Sequence, residues 1–135
     1  MRLVELFDRP LSYTWKEKAE DLWEGSFRSP SGQLVSFIAE KQGKAWEVVF
    51  HVNQSQNVTG EGDEIPIFST VLKMLFEFAQ TMEPWKVVFE SSEHEPSRVK
   101  LYNAMVSKYA RANGYSTKIK QKGSGSFVFV LANIS

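Results

Sequence analysis

Pro84-Trp-Lys-Val-Val-Phe-Glu-Ser-Ser92 and, after two residues, Glu95-Pro-Ser-Arg-Val-Lys-Leu-Tyr-Asn-Ala-Met-Val-Ser-Lys-Tyr-Ala-Arg-Ala-Asn-Gly-Tyr115 are the stretch on which the class of this chain turns. Val87, Val88 and Phe89 form an unbroken apolar run between Pro84 and Ser91-Ser92, the pattern of a strand covered on both faces. The segment after it reads as a helix over about 96–113. Pro96 suits a first turn because its missing N–H would be unpaired there, and Gly114 suits a left-handed stop. Leu101, Tyr102, Met105, Val106, Tyr109 and Ala112 recur at helical spacing on one face. A buried strand feeding a helix that folds back over it is the centre of an α/β domain.

Outward from that unit, a second helix is expected over about 66–82. Pro66 opens it, Asp63 and Glu64 sit where negative charge favours the helix dipole, and Phe68, Val71, Leu72, Leu75, Phe76, Ala79 and Met82 recur every three or four residues. Upstream come three strand signals, Glu20 to Arg28, Gln33 to Glu40 and Ala45 to Asn53. Ser29-Pro30-Ser31-Gly32 and Gln42-Gly43 separate them, turns short enough to imply an antiparallel meander. Gln54 to Glu64 is polar and reads as the longest loop. Downstream, Tyr115 to Lys122 and Ser126 to Ala132 form a hairpin, with Lys118, Lys120 and Lys122 alternating with Thr117, Ile119 and Gln121 as on an exposed strand. Residues 2–7 suit a short helix stopped by Pro10, and the segment with Tyr13 and Trp15 reads as an extended arm.

The totals bound what such a chain can be. At 135 residues and 42% hydrophobic content it suits one domain, 1–135, with 1–18 as helix and arm. It has no cysteine, which excludes disulfides, thiolate metal sites and cysteine nucleophiles. No apolar run approaches the roughly 20 residues of a membrane-spanning helix, and the expectation is a cytoplasmic protein with no membrane contact. The net charge is zero but unevenly placed. Seven bases (Arg98, Lys100, Lys108, Arg111, Lys118, Lys120 and Lys122) and no acid lie from Arg98 onward, so nine bases face all 16 acids before it.

From about residue 20 the order of elements, three antiparallel strands, helix, strand, helix and hairpin, resembles the GNAT acyltransferase fold. Leu101-Tyr102 followed by Gly114-Tyr115 is similar to that family's helix and Gly-aromatic pair. Thr59-Gly60-Glu61-Gly62-Asp63, Phe68-Ser69-Thr70-Val71 and Glu95 to Tyr102 resemble small GNAT-like proteins of tailed phages. The resemblance implies a mixed, mainly antiparallel sheet with two main helices. It also implies a gap between the strands flanking the first main helix, where acyl-coenzyme A enters.

The family holds the coenzyme pyrophosphate on a Gln/Arg-x-x-Gly-x-Gly/Ala loop, through backbone amides at the start of that helix. Here the position reads Gly60-Glu61-Gly62-Asp63-Glu64-Ile65-Pro66-Ile67-Phe68. Pro66 lacks a donor, Phe68 adds bulk, and the carboxylates repel phosphate by roughly 4 kcal/mol for unit charges 4 Å apart near a surface. The expectation is therefore a phage protein in a host cytoplasm that binds a host or viral protein without catalysis or cofactor. The alternative is an acetyl-CoA-dependent N-acetyltransferase, with Val87, Val88 and Phe68 against the cofactor and Tyr102 as the acid that protonates the departing thiolate. The bland reading of Tyr102 is a ring packed on the sheet. A third reading is a nucleic-acid binder through the seven bases, although no stacking or reading motif accompanies them.

His51 and His94 are the only histidines, and a lone imidazole in a strand or loop is usually structural. Glu61, Asp63 and Glu64 lack the alternation of a calcium loop, so no metal site is expected. Trp15, Trp23, Trp46 and Trp85 are core candidates, with Trp15 the one placed to anchor a partner if its arm is exposed.

Overall fold

Alternating apolar residues in the first half of the chain build four consecutive antiparallel strands: β1 (Tyr13–Lys18), β2 (Leu22–Arg28), β3 (Leu34–Gln42) and β4 (Ala45–Asn53). The computed structural model describes residues 11–53, 64–91, 96–121 and 127–133. Helix α1 (Glu64–Met82) leads to β5 (Lys86–Ser91), helix α2 (Pro96–Ala112) follows, and β6 (Tyr115–Gln121) and β7 (Phe127–Asn133) complete the sheet. The seven strands run in the order β1-β2-β3-β4-β5-β7-β6, and β4–β5 is the one parallel pair. This is the expected mixed, mainly antiparallel sheet with two main helices.

The segment expected as an irregular arm is instead strand β1, paired with β2 from Tyr13↔Phe27 to Lys18↔Trp23. A bulge between Trp15 and Glu17 shifts the register. The extra residue puts Tyr13, Trp15 and Lys18 on one face and breaks the period of two that marks a strand in sequence. Strand β2 starts at Leu22 because Ala19 donates to the Leu22 carbonyl at 2.8 Å and closes the turn before it. Helix α2 stops at Ala112, and Gly114, at φ +80°, carries the left-handed turn into β6. The expected helix at residues 2–7 and nearly all of the loop 54–64 lie outside the described residues.

Both helices cover the same face of the sheet. On α1, Phe78 meets Trp23 and Trp46 edge-on, with ring centroids 5.4 and 4.7 Å apart, while Phe68 packs beside Phe50 and Phe89. Gly25 of β2 lies under Met74 of α1 and Trp15 of β1, where a β-carbon would fall 2.6 and 2.8 Å from their side chains. Phe76 of α1 stacks on Tyr109 of α2, and Ser107 of α2 faces Thr117 of β6. Residues 67–72, 74–76, 78 and 79 of α1 are all buried, so this helix is enclosed on more sides than a two-sided amphipathic pattern implies. Trp23 and Trp46 are buried in this core and Trp15 packs against it, whereas Trp85 is 64% exposed. Trp85 directly follows Pro84 and precedes β5, outside any helix or strand.

Candidate active site

Parallel pairing between β4 and β5 runs from Trp46↔Val87 to Val49↔Glu90, one residue short of the described end of β5. On its other side β4 stays paired with β3 as far as Asn53↔Leu34, and β5 stays paired with β7 as far as Ser91↔Phe127. Strand β5 has only Ser91 left beyond this pairing, so β4 runs past the described end of β5, at the carboxyl ends of the one parallel pair among the described strands. On that side the β4 edge from Phe50 to Asn53 has no strand partner among the described residues.

Helices α1 and α2 each begin a crossover at this end of the sheet, α1 after β4 and α2 after β5. Two helix amino termini at one end of a sheet lend it positive potential and free N–H groups, the usual equipment for an anionic ligand at strand ends. On α1, Pro66 supplies no N–H, and its carbonyl accepts from the Thr70 hydroxyl at 2.7 Å. The Thr70 hydroxyl oxygen in turn accepts from the Leu11 amide at 2.8 Å, tying the start of the described chain to this helix.

Phe68 is fully buried in the second turn of α1 and joins Phe50 and Phe89 in an aromatic cluster where the β4–β5 pairing ends. Val87 is buried under the helices and Val88 is half-buried on the opposite face; both lie in the stretch paired with β4. Tyr102 falls in the second turn of α2, near the same end, and its side chain is outside the described residues, as is that of Glu64. His51 is exposed on β4, paired with Ser36 of β3, whereas His94, Glu61 and Asp63 are outside the described residues. Among the described residues no cluster of carboxylates and imidazoles could hold a metal ion.

The structure divides the basic residues between two faces. Lys108 and Arg111 border a cavity of about 500 Å³ beside α2, together with Ala104, Ser107 and Ala112. Lys118 and Lys120 project from the other side of the sheet, because on β6 they alternate with Thr117, which meets α2. Lys100 is exposed on α2, the Arg98 side chain is not described, and Lys122 lies outside the described residues.

One polar cluster escaped the sequence reading. Glu77 of α1 accepts hydrogen bonds from the Tyr13 hydroxyl and, at 2.5 Å, from the Trp15 indole N–H. Lys18 stands 3.9 Å from the same carboxylate and over the Trp15 and Trp23 rings. Burial, and then the Glu77 bond and charge, push the Tyr13 hydroxyl well above the usual tyrosine range. The cluster locks edge strand β1 onto α1. The run of β4 past β5 left a trace in the sequence, namely nine strand-forming residues at Ala45–Asn53 beside six at Lys86–Ser91.

No protein-family profile and no curated protein matches this chain. Solved structures do. An acetyltransferase of Bacillus subtilis in complex with CoA is similar over 93% of this chain and 99% of its own, at 10% identity and a TM-score of 0.50. A Sphaerobacter thermophilus protein described as a candidate acetyltransferase is similar over 98% of this chain and 85% of its own, at 11% identity and a TM-score of 0.51. The chain has the GNAT fold. The expectation of a binding protein without catalysis is corrected by this finding, since the solved structures that share the fold are acetyltransferases and one carries CoA. The obstacle raised by Phe68 also goes, because its ring turns into the core and away from the helix end. No helix among the described residues is long and apolar enough to cross a membrane.

Proposed function

We propose that the protein is an acetyl-CoA-dependent N-acetyltransferase whose pyrophosphate site departs from the family pattern. The observation that supports it best is the run of β4 past its pairing with β5, which leaves the strand edge of Phe50–Asn53 without a strand partner among the described residues, at the end of the sheet where α1 and α2 start. The edge of Phe50–Asn53 fits the pantetheine arm of the cofactor. That arm carries amide groups, and a strand edge pairs with an extended amide chain as it would with another strand. The backbone N–H groups at the start of α1 would hold the pyrophosphate, with one fewer donor because of Pro66.

When bound, acetyl-CoA supplies a thioester carbonyl activated toward attack by an amine. An attacking amine would form the new C–N bond and give up one proton as the C–S bond breaks, and the departing thiolate would take one proton, so none is gained or lost overall. Tyr102 is assigned to donate that proton, from its place near the amino end of α2. Phe50, Phe68 and Phe89 close the helix side of this strand edge and keep water from that side. The resemblance of Glu95 to Tyr102 to phage proteins makes a phage gene and the host cytoplasm the setting of this proposal.

Calorimetric titration with acetyl-CoA is the direct test, with micromolar binding expected. Absence of binding at about 1 mM, a free energy near only −4 kcal/mol, would sink the proposal. Thiol release over a panel of primary amines then measures turnover. Tyr102→Phe is expected to lower kcat by about 10²-fold with acetyl-CoA affinity unchanged, the signature of a lost proton donor.

A further inference from the structure

The sheet ends on β1 at one side and on β6 at the other, and the two edges differ. Strand β1 is broken by the bulge between Trp15 and Glu17, a device that hinders pairing with a further strand. Strand β6 has no such break. All of its residues from Tyr115 to Gln121 pair in continuous register with β7, and its outer edge has no strand partner among the described residues. Every second residue of such an edge turns its N–H and C=O outward, unpaired by the sheet.

Bases flank this edge on both faces. Lys118 and Lys120 are exposed on the face opposite the helices. On the helix face Ser107 of α2 meets Thr117, and Ala104 and Arg111, one turn before and one turn after Ser107, border the cavity of about 500 Å³ with it and with Lys108. Ile119, two residues beyond Thr117 on that same face, is 38% exposed. Among the described residues no acid pairs with Lys118, Lys120 or Arg111, and the sequence from Arg98 onward contains none. In register the first acid inward from Lys120 is Glu90 of β5, beyond Val128, and inward from Lys118 it is Glu47 of β4, beyond Val130 and Val88.

We infer that β6 is the docking edge for an extended acidic segment of another protein, which joins the seven-stranded sheet as an additional strand. An added strand sends alternate side chains to the two faces. Carboxylates opposite Lys118 and Lys120 therefore leave an apolar side chain between them, opposite Ile119. The segment that fits alternates acidic with apolar residues.

The same chemistry turns other occupants away. A second copy of β6 sets lysine against lysine on the shared face. A nucleic acid offers no amide chain to the edge, and its phosphates call for bases gathered on one surface, whereas the sheet separates Lys118 and Lys120 from Lys108 and Arg111. Lysines alone suffice to keep an edge free, but an edge built only to stay free would not present a bare isoleucine between them.

The probe that tests this is a fluorescein-labelled peptide of three glutamates alternating with two valines, titrated with the whole chain and read by anisotropy. Saturable binding is expected at low salt with a Kd of about 100 µM. A peptide of the same composition with its glutamates contiguous is expected to bind about 5-fold more weakly, and the chain carrying Lys118→Glu with Lys120→Glu about 10-fold more weakly. Ile119→Asp is expected to weaken binding by about 5-fold as well. Saturating peptide is also expected to slow hydrogen exchange of outward amides within Tyr115–Gln121 by about 10-fold, which attraction between side chains alone would not do. No binding at about 1 mM, a free energy near only −4 kcal/mol, overturns the inference. So does equal binding of the contiguous peptide, binding kept by the lysine variant, or unchanged exchange in β6. Tighter binding of a single-stranded oligonucleotide of equal charge also overturns it, in favour of a nucleic-acid surface. If a variant melts early, the two peptides and the exchange data on the unaltered chain decide.

Discussion

Gly25→Ala sets two opposed effects against each other at one position. Gly25 has no positive φ, so its backbone accepts alanine, and restricting the unfolded chain alone would stabilise by about 0.4–1 kcal/mol. Against this, the new methyl would lie 2.6 Å from Met74 Cε, 2.8 Å from Trp15 Cε3 and 3.0 Å from the Thr14 carbonyl oxygen. Met74 can swing its terminal methyl aside. Trp15 cannot move freely, because its indole N–H is bonded to Glu77 and its ring sits edge-on to Trp23 and Phe37 at 5.0 and 5.6 Å.

Overpacking of this kind costs about 1–3 kcal/mol, so the net loss is about 1–2 kcal/mol. At about 2.1 cal/mol/K per residue, 135 residues unfold with an entropy near 280 cal/mol/K, and that loss lowers Tm by about 4–7 °C. Thermal melts followed by circular dichroism, with urea titration as a check, measure it. An unchanged or raised Tm would show that Trp15 is not held as described, and the reasoning would fail.

Glu77→Ala removes the acceptor shared by Tyr13 and Trp15, and a loss of about 1–2 kcal/mol in urea unfolding is expected, with β1 the first segment to lose amide protection in hydrogen exchange. At alkaline pH the sign follows from Tyr13 and Tyr115, whose hydroxyls are both raised, first by burial. Their stabilisation is complete below the unfolded value of 10.0 and is lost as pH rises from there toward the folded values. Tyr13→Phe should flatten the fall in stability above that pH, and an unaltered profile would count against the assignment. Glu83, just past α1, holds φ at +47° without being glycine, so Glu83→Gly is expected to raise stability by about 0.5–1 kcal/mol, read as a higher urea midpoint at constant slope. Trp85→Ser is expected to change stability by less than about 0.5 kcal/mol, because this tryptophan is 64% exposed.

The elements with strong periodicity were readable, and those whose pattern a neighbour interrupts were not. Pro66 and Pro96 marked the two helices to within a couple of residues, and Ala45 to Asn53 matched β4. Strand β1 was missed because the bulge at Trp15 to Glu17 spoils its alternation. Trp85 was assigned to the core from its chemistry, although burial depends on what lies opposite. Phe68 was weighed as an obstacle to phosphate from its distance along the chain, but a helix rotates each successive side chain by about 100°, and that turn carries this ring inward.

Local chemistry and spacing therefore established the mixed architecture, the order of its elements and the exclusion of cysteine chemistry, because these depend on neighbours along the chain. The parallel pairing of β4 with β5, the gathering of Tyr13, Trp15 and Lys18 at Glu77, and the division of the bases between two faces depend on pairings across dozens of residues. Strand register and helix side are settled by packing of the assembled core, and a one-residue shift in either would send the same side chains to the opposite surface.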